Sequence, residues 1–296
     1  MTINTHRKGI ILAAGKGRRL SPITSAISKQ LMLIYDKPMI YYPIATLMLC
    51  GVKDILIITT SFSKKLFQKL LGNGSQWGIN LSYKVQEDSL GISHAISLSK
   101  EFVKNENVVI ALGDNIFHGS NLVSLLSSAD ISSVGGTIFA YPVSNPQNYG
   151  VVDFNKSGQI TGLQEKPKNP SSKYAITGLY FFDNSIFERI NKLEPSPRQE
   201  LEITSLNSSY WKDGLLNVEI MGRGTAWFDT GTFESLQEAS AYIRSIQKRQ
   251  GLKVGCPEEI AWRQGWINND QLEKLADPLK SSGYGEYLFE LSKNNG

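Results

Sequence analysis

Apolar residues along this chain fall into short runs separated by glycine, proline and charge, and the period of the runs changes partway along. Ile10, Ile11 and Leu12 lie in a run over residues 9–14 that reads as a buried strand; 54–60 and 108–114 repeat it. Strands that are apolar at every position are expected where helices cover both faces of a sheet. Between them, 38–51 and 63–72 read as helices, 80–86 alternates as a strand, and 92–103 reads as a helix. After about residue 134 the rhythm shifts. Segments 136–143, 149–154, 158–166 and 175–183 read as strands joined by short turns, with Asn-Pro steps at 145–146 and 169–170. Helices follow over 185–193 and near 200–211, then late strands at 217–222 and 225–231, and helical patterns dominate from Phe233 onward. The expectation is an α/β fold: a central mixed, mostly parallel sheet flanked by helices. Residues 1–232 form the expected core, and 233–296 an expected helical region packed on it.

Composition narrows the function. The net charge of +4 comes without a basic block, which suits small anions and argues against a nucleic-acid surface. Cys50 and Cys256 are far apart, with no second Cys or His at ligand spacing, so neither a disulfide scaffold nor a zinc site is expected, and a reducing cytoplasmic setting fits. His6, Arg7 and Lys8 precede an apolar run like a signal peptide, but Lys16 ends that run too early. Lys53 and Asp54 cut the longest later stretch, so no membrane span is expected. The histidines His6, His94 and His118 lie in no recognisable hydrolase triad motif.

The chemistry concentrates at strand ends. After the first strand, Gly15 and Gly17 make a tight turn followed by Arg18, Arg19 and, further on, Lys29. Glycines expose backbone N–H groups to phosphate oxygens and the cations neutralise charge, although the spacing is neither that of a P-loop nor that of a dinucleotide fingerprint. Asp114, just past the strand ending in Leu112, is by itself as much a cap or turn residue as a metal ligand; beside a phosphate loop it reads as a Mg²⁺ ligand. Asp229 repeats the logic after a second short strand, with Trp227 as pocket wall or core. Glu165–Lys166 suits a sugar phosphate or, by spacing alone, a charged turn before Pro167. Gln86 and Gly91 could meet a base edge and ring; Tyr149–Gly150 and Thr177–Gly178 place small residues at strand starts.

Taken together, the stretches GKGRRLSPIT, SKQLMLIYDKPMIYYPI, LGDNIFHG, NYGVVDF, EKP, YAITGLYFFD, GRGTAWFDTGT and RQGLKVGCPEEIAWRQGWI resemble the glucose-1-phosphate thymidylyltransferases over nearly the whole chain. The resemblance implies a Rossmann-like nucleotidyltransferase fold with a nucleotide-binding first half and a sugar-binding second half. It also implies Mg²⁺ dependence, a homotetramer, and a second nucleotide site for end-product inhibition. The implied reaction joins dTTP to glucose 1-phosphate, giving dTDP-glucose and pyrophosphate, the first step toward dTDP-rhamnose and related surface sugars such as those of O-antigen lipopolysaccharide. By position, Ala14, Gly15, Gly17, Arg18, Arg19, Lys29, Gln30, Gln86, Gly91 and Asp114 would bind the nucleotide. Asp114, Tyr149, Gly150, Glu165, Lys166, Thr177 and Trp227 would bind the sugar phosphate, and Asp114 with Asp229 the metal. Arg19, Lys29, Lys166 and Asp114 would carry catalysis. The chain departs from the family pattern at Ala14, Lys16 and Arg18 in the loop, at Leu90 and His94 near the base, and at Ser205 near the sugar. Relaxed base or sugar selectivity is the expectation these changes raise.

Overall fold

The structure is a computed structural model that describes residues 7–130 and 134–293. His6 and residues 294–296 of the expected helical region lie outside them. In chain order the elements begin with β1 (Arg7–Ala13), β2 (Leu33–Ile34), β3 (Lys37–Pro38), α1 (Tyr41–Leu49), β4 (Asp54–Thr59), α2 (Ser61–Leu71) and β5 (Asn80–Val85). Next come α3 (Ile92–Ser97), α4 (Lys100–Val103), β6 (Asn107–Leu112), β7 (Ile116–His118), α5 (Leu122–Asp130), β8 (Gly136–Pro142), β9 (Gly150–Phe154), β10 (Ile160–Glu165) and β11 (Tyr174–Phe182). The chain continues through α6 (Ile186–Ile190), α7 (Ile203–Lys212), β12 (Leu216–Ile220), β13 (Ala226–Phe228), α8 (Phe233–Gln250), α9 (Pro257–Arg263), α10 (Asn269–Ala276) and α11 (Gly283–Lys293).

A nine-stranded mixed sheet organises the molecule, with β10-β9-β11-β6-β1-β4-β5 in line and β8 pairing β11 and β12. β6, β1, β4 and β5 run parallel, and β11 joins this block antiparallel through β6. The continuous apolar runs have a simple cause. Ile11, Ile55, Ile57, Val109 and Ala111 belong to one buried cluster, whereas Ile10, Leu56, Ile58, Val108 and Ile110 belong to the other. Alternate side chains point to opposite faces of a strand, so covering both faces makes every position apolar. α1, α9 and α11 contribute to the first cluster and α3, α6 and α7 to the second. α8 closes a third cluster, setting Leu236, Ala239 and Ile243 against Leu20, Ile34, Met39 and Ile116.

Most expected elements form within a few residues of their expected bounds, and two differ in kind. The helix expected over 92–103 is broken into α3 and α4, because the Ser99 hydroxyl and amide both bond back to the Ile96 carbonyl, at 2.6 and 2.9 Å. Such local bonds compete with the helical ladder. The strand expected over 225–231 is only β13, which pairs not with the main sheet but with β7 in a separate two-stranded ribbon. Among the described residues no helix is long and apolar enough to cross a membrane.

Candidate active site

β1 lies between β4 and β6, so connections leave it on both sides, and the crevice at its carboxyl end is where open α/β sheets bind ligands. Two loops meet there. Gly113, after β6, donates its N–H to the Leu12 carbonyl at 2.9 Å, which seats the Gly113–Asn115 turn beside the glycine loop. A cleft of about 520 Å³ opens over this point, lined on one flank by Ala14, Gly15, Lys16, Gly17 and Arg18 with Lys29, Gln30 and Asp114. Gln86, Ser89, Gly91, Ile92 and Ala95 make the second flank, and Glu165, Lys166, Arg198, Glu200 and Glu202 the third. Gly91 is required here twice over: its φ is +99°, and a Cβ would sit 2.6 Å from the Leu201 carbonyl oxygen.

The β7–β13 ribbon brings the two expected metal ligands together. Its register sets Phe228 opposite Ile116, so Asp229 falls opposite Asn115, next to Asp114. Thr230, at φ +32°, locks the junction by donating its hydroxyl to the Asp114 carbonyl oxygen at 2.5 Å. Lys29 forms an ion pair with the Asp114 carboxylate, and Asn115 Nδ2 donates to Asp114 Oδ1 at 3.0 Å. Burial, then the facing negative charge of Asp114, raises the pKa of the Asp229 carboxyl; Arg19, Lys29 and a hydrogen bond from Tyr149 offset this only in part. The Tyr149 phenol is in turn pushed up to about 12 by burial and by Asp229, so it remains a donor. Asp114 lines the cleft and Asp229, beside it, does not; two half-buried carboxylates whose repulsion is only partly offset fit a divalent cation that takes one or two carboxylates plus phosphate oxygens. Among the described residues no group of three or more His, Cys, Asp or Glu side chains is gathered for a metal, so further ligands would come from substrate.

A raised carboxyl gives a signed prediction. A folded-state pKa above the unfolded value means that the folded protein holds the Asp229 proton more tightly. Its contribution to stability is therefore present at low pH and lost as pH rises through the raised value. Asp229→Asn should accordingly raise the melting temperature at pH 8 by about 2–4 °C, the response of a chain near this size to roughly 1 kcal/mol, and leave it unchanged at pH 4. A lower melting temperature at pH 8 would contradict the repulsion.

Several expected site residues stand elsewhere. Arg19 is exposed and lies over Gly231 beside Asp229, outside the cleft lining. The Gly150 backbone lies behind Glu165. Two residues expected at the sugar phosphate, Thr177 and Trp227, lie outside the cleft lining. Thr177 is fully buried with an unpartnered hydroxyl, because β11 is covered on both faces. Trp227 is 9% exposed, its ring against Tyr141 and Tyr149 and its Nε1 donating to Asn115 Oδ1 at 2.6 Å. It acts on the site through Asn115, whose Oδ1 also accepts from Gly178 N at 3.0 Å. Arg198, Asn115 and Thr230 were not read from the sequence as site residues. Arg198 bridges Glu165 and Glu202 at 3.0 and 2.9 Å from a loop without periodicity. Asn115 alone had a signal, its place beside Asp114. A second cavity, of about 500 Å³, is lined by Asp36, Lys37, Tyr41, Lys253, Glu258 and Tyr284 among others and holds none of the expected residues.

A glycine loop and a carboxylate pair at one sheet-end crevice, with Lys166 and Arg198 set among Glu165, Glu200 and Glu202 in the cleft lining, fit a nucleotidyltransferase. The nucleotidyl transferase family pattern matches residues 8–246. Glucose-1-phosphate thymidylyltransferases of Xanthomonas campestris pv. campestris and Neisseria meningitidis serogroup A are 53% and 50% identical to this chain, covering 98% and 97% of it and 98% and 99% of their own lengths. A Bacillus anthracis structure assigned to the same enzyme and solved with sucrose superposes with TM-score 0.74 at 39% identity, over 80% of this chain and 95% of that one. A UDP-glucose pyrophosphorylase bound to UDP-glucose superposes with TM-score 0.70 at 25% identity, over 81% and 99%. The chain belongs to the glucose-1-phosphate thymidylyltransferases.

Proposed function

We propose that the chain transfers a thymidylyl group from dTTP to glucose 1-phosphate, releasing pyrophosphate. The observation that carries this reading is the cleft itself, lined together by the Ala14–Arg18 loop, Lys29, Asp114, Lys166 and Arg198. Cations and loop amides gathered in one cleft suit two phosphorylated substrates. A sugar-phosphate oxygen is already a nucleophile, so no general base is needed: it bonds to the α-phosphorus as the bond to the pyrophosphate oxygen breaks. Catalysis then reduces to positioning and charge neutralisation. The loop amides, Lys16, Arg18 and Lys29 would hold the triphosphate, and Lys166 and Arg198 the attacking phosphate. Glu165, 3.7 Å from Lys166 Nζ and bonded by the Thr204 hydroxyl, would accept sugar hydroxyls. Arg19, beside Asp229, would face charge developing on the leaving group. Asp114 and Asp229 would hold Mg²⁺, which supplies charge neutralisation on the phosphates when bound. A homotetramer in the cytoplasm, feedback inhibition and a place at the start of dTDP-sugar synthesis complete the reading and rest on the family resemblance.

The test is pyrophosphate release from purified protein with Mg²⁺, glucose 1-phosphate and each of dTTP, UTP, CTP, ATP and GTP. Release with dTTP that requires the sugar phosphate is the expected result, with UTP as the nearest competitor given the UDP-glucose-binding neighbour. Silence with dTTP and UTP alike would overturn the reading.

A further inference from the structure

We propose that α2 docks the protein on an anionic lipid surface, with Phe62, Leu66 and Leu70 entering the headgroup layer and Lys65 and Lys69 meeting lipid phosphates. The helix carries two parallel rows of side chains spaced four apart, and its own core uses one. Ser63, Phe67 and Leu71 are buried, and Phe67 and Leu71 belong to the first hydrophobic cluster. Phe62, Leu66 and Leu70 repeat that spacing one position earlier, and they are 60%, 38% and 37% exposed. Side chains three and four apart are neighbours on a helix, so Lys65 and Lys69 flank the open row. Both lysines are exposed, and no described residue pairs with either. The face is held rigidly. The Thr60 hydroxyl caps the helix by accepting from Ser63 N at 3.2 Å, and Phe67 and Leu71 are fully enclosed.

Charge and size select the occupant. Residues 55–86 contain Lys64, Lys65, Lys69 and Lys84 and no Asp or Glu, so four cations against no acid give this stretch +4, the formal net charge of the whole chain. Of these, Lys84 has an acidic partner, Glu101 at 3.7 Å. A second copy of the same face is a poor occupant, because a two-fold contact would set these lysines against one another. A stable protein partner needs about 800 Å² on each side, and a single row of three side chains falls well short of that. A lipid surface has neither difficulty. Its anionic headgroups attract each nearby lysine, and a basic amphipathic helix lying in the interface gains with every apolar side chain it buries. With 11 residues, α2 is too short to cross a bilayer, so it lies along one.

The experiment is sedimentation of the full chain with vesicles of phosphatidylcholine alone or mixed equally with phosphatidylglycerol. Wild type is compared with Phe62→Gln, with Leu66→Gln and with the double variant Lys65→Gln/Lys69→Gln. A control, Lys192→Gln/Lys212→Gln, loses the same charge from exposed positions elsewhere. Wild type should bind the mixed vesicles at least tenfold more tightly than phosphatidylcholine alone, and added salt should weaken the binding. Each α2 variant should lose about tenfold, and the control should stay within about threefold of wild type. Insertion is read separately. Cys50 and Cys256 are buried, so an environment-sensitive dye on Phe62→Cys reports that position alone. Its emission should shift to the blue on mixed vesicles, whereas a dye on Gln68→Cys, exposed across the helix, should not shift. Absence of wild type from the mixed-vesicle pellet would overturn the proposal, as would wild-type binding by the residue 62 and 66 variants or an equal loss in the control. An unshifted dye at residue 62 together with tight binding of soluble poly-glutamate would overturn it in favour of an acidic polypeptide. A changed sedimentation coefficient of Phe62→Gln without lipid would overturn it in favour of a contact between copies. The substituted side chains are all exposed, so melting temperatures should match wild type, and Leu66→Gln decides should Phe62→Gln not fold.

Discussion

Asp114→Asn should lower turnover about a thousandfold while leaving the fold intact. The substitution is nearly isosteric, and two of the contacts that hold residue 114 survive it: the Thr230 hydroxyl bonds the main-chain carbonyl, and Asn115 bonds Oδ1. What disappears is one of the two carboxylates facing each other across the β7–β13 ribbon and the negative partner of Lys29. Losing a carboxylate that would hold the divalent cation weakens the positive charge which that cation brings to the phosphates, a loss on the scale of a removed oxyanion donor, about 3–4 kcal/mol, or 10²–10³ in rate. A second readout is independent of turnover. Mn²⁺ titration followed by water-proton relaxation should show at least tenfold weaker binding in the variant. Asp229, freed of the Asp114 charge that raises it, should then titrate closer to an ordinary carboxylate. Turnover within threefold of wild type, or unchanged Mn²⁺ affinity, would refute the assignment of the pair.

What the sequence disclosed and what it hid follow from the range of the forces involved. β1, β4 and β6 were legible because each is buried on both faces, and the apolar requirement at Ile10 and Ile11 is local to the strand. The glycine loop and Asp114 were legible for the same reason, as they abut those strands. The ribbon was not. β7 and β13 are three residues each, separated by more than a hundred positions, and nothing within Ile116–His118 announces its partner. Yet that pairing carries Asp229 to Asp114. Thr177 is the converse case. Its place in a strand was right, but β11 lies inside the sheet between β6, β8 and β9, so its side chain is enclosed. Arg198 reaches the cleft from an irregular loop tied down by Glu165 and Glu202, contacts that exist only after the chain has closed.

Lys29→Ala should cost turnover by about 10²–10³ and stability as well, a combination that distinguishes it from every other cation in the cleft. Its ammonium and the Asp114 carboxylate are 12% and 18% exposed, so they form a largely enclosed pair. Removing one partner of such a pair leaves the other charge uncompensated, at a cost of about 3 kcal/mol. Here the cost is compounded, because Lys29 also offsets the rise of Asp229; without it two carboxylates confront each other with only Arg19 nearby. kcat should fall more than KM rises, since the charge on the transferring phosphate grows toward the transition state. Lys29→Arg should keep the stability but not the full rate, its planar fork being a poor substitute for a point charge. Saturating divalent cation should restore much of the melting temperature of Lys29→Ala by supplying positive charge to the same carboxylates. Exposed Lys16 and Arg18, truncated in the same way, should change the melting temperature by less than about 1 °C, because solvent screens charges that are not enclosed. Equal losses of stability from Lys16→Ala and Lys29→Ala would mean that the Lys29–Asp114 pair is not what holds the two loops together.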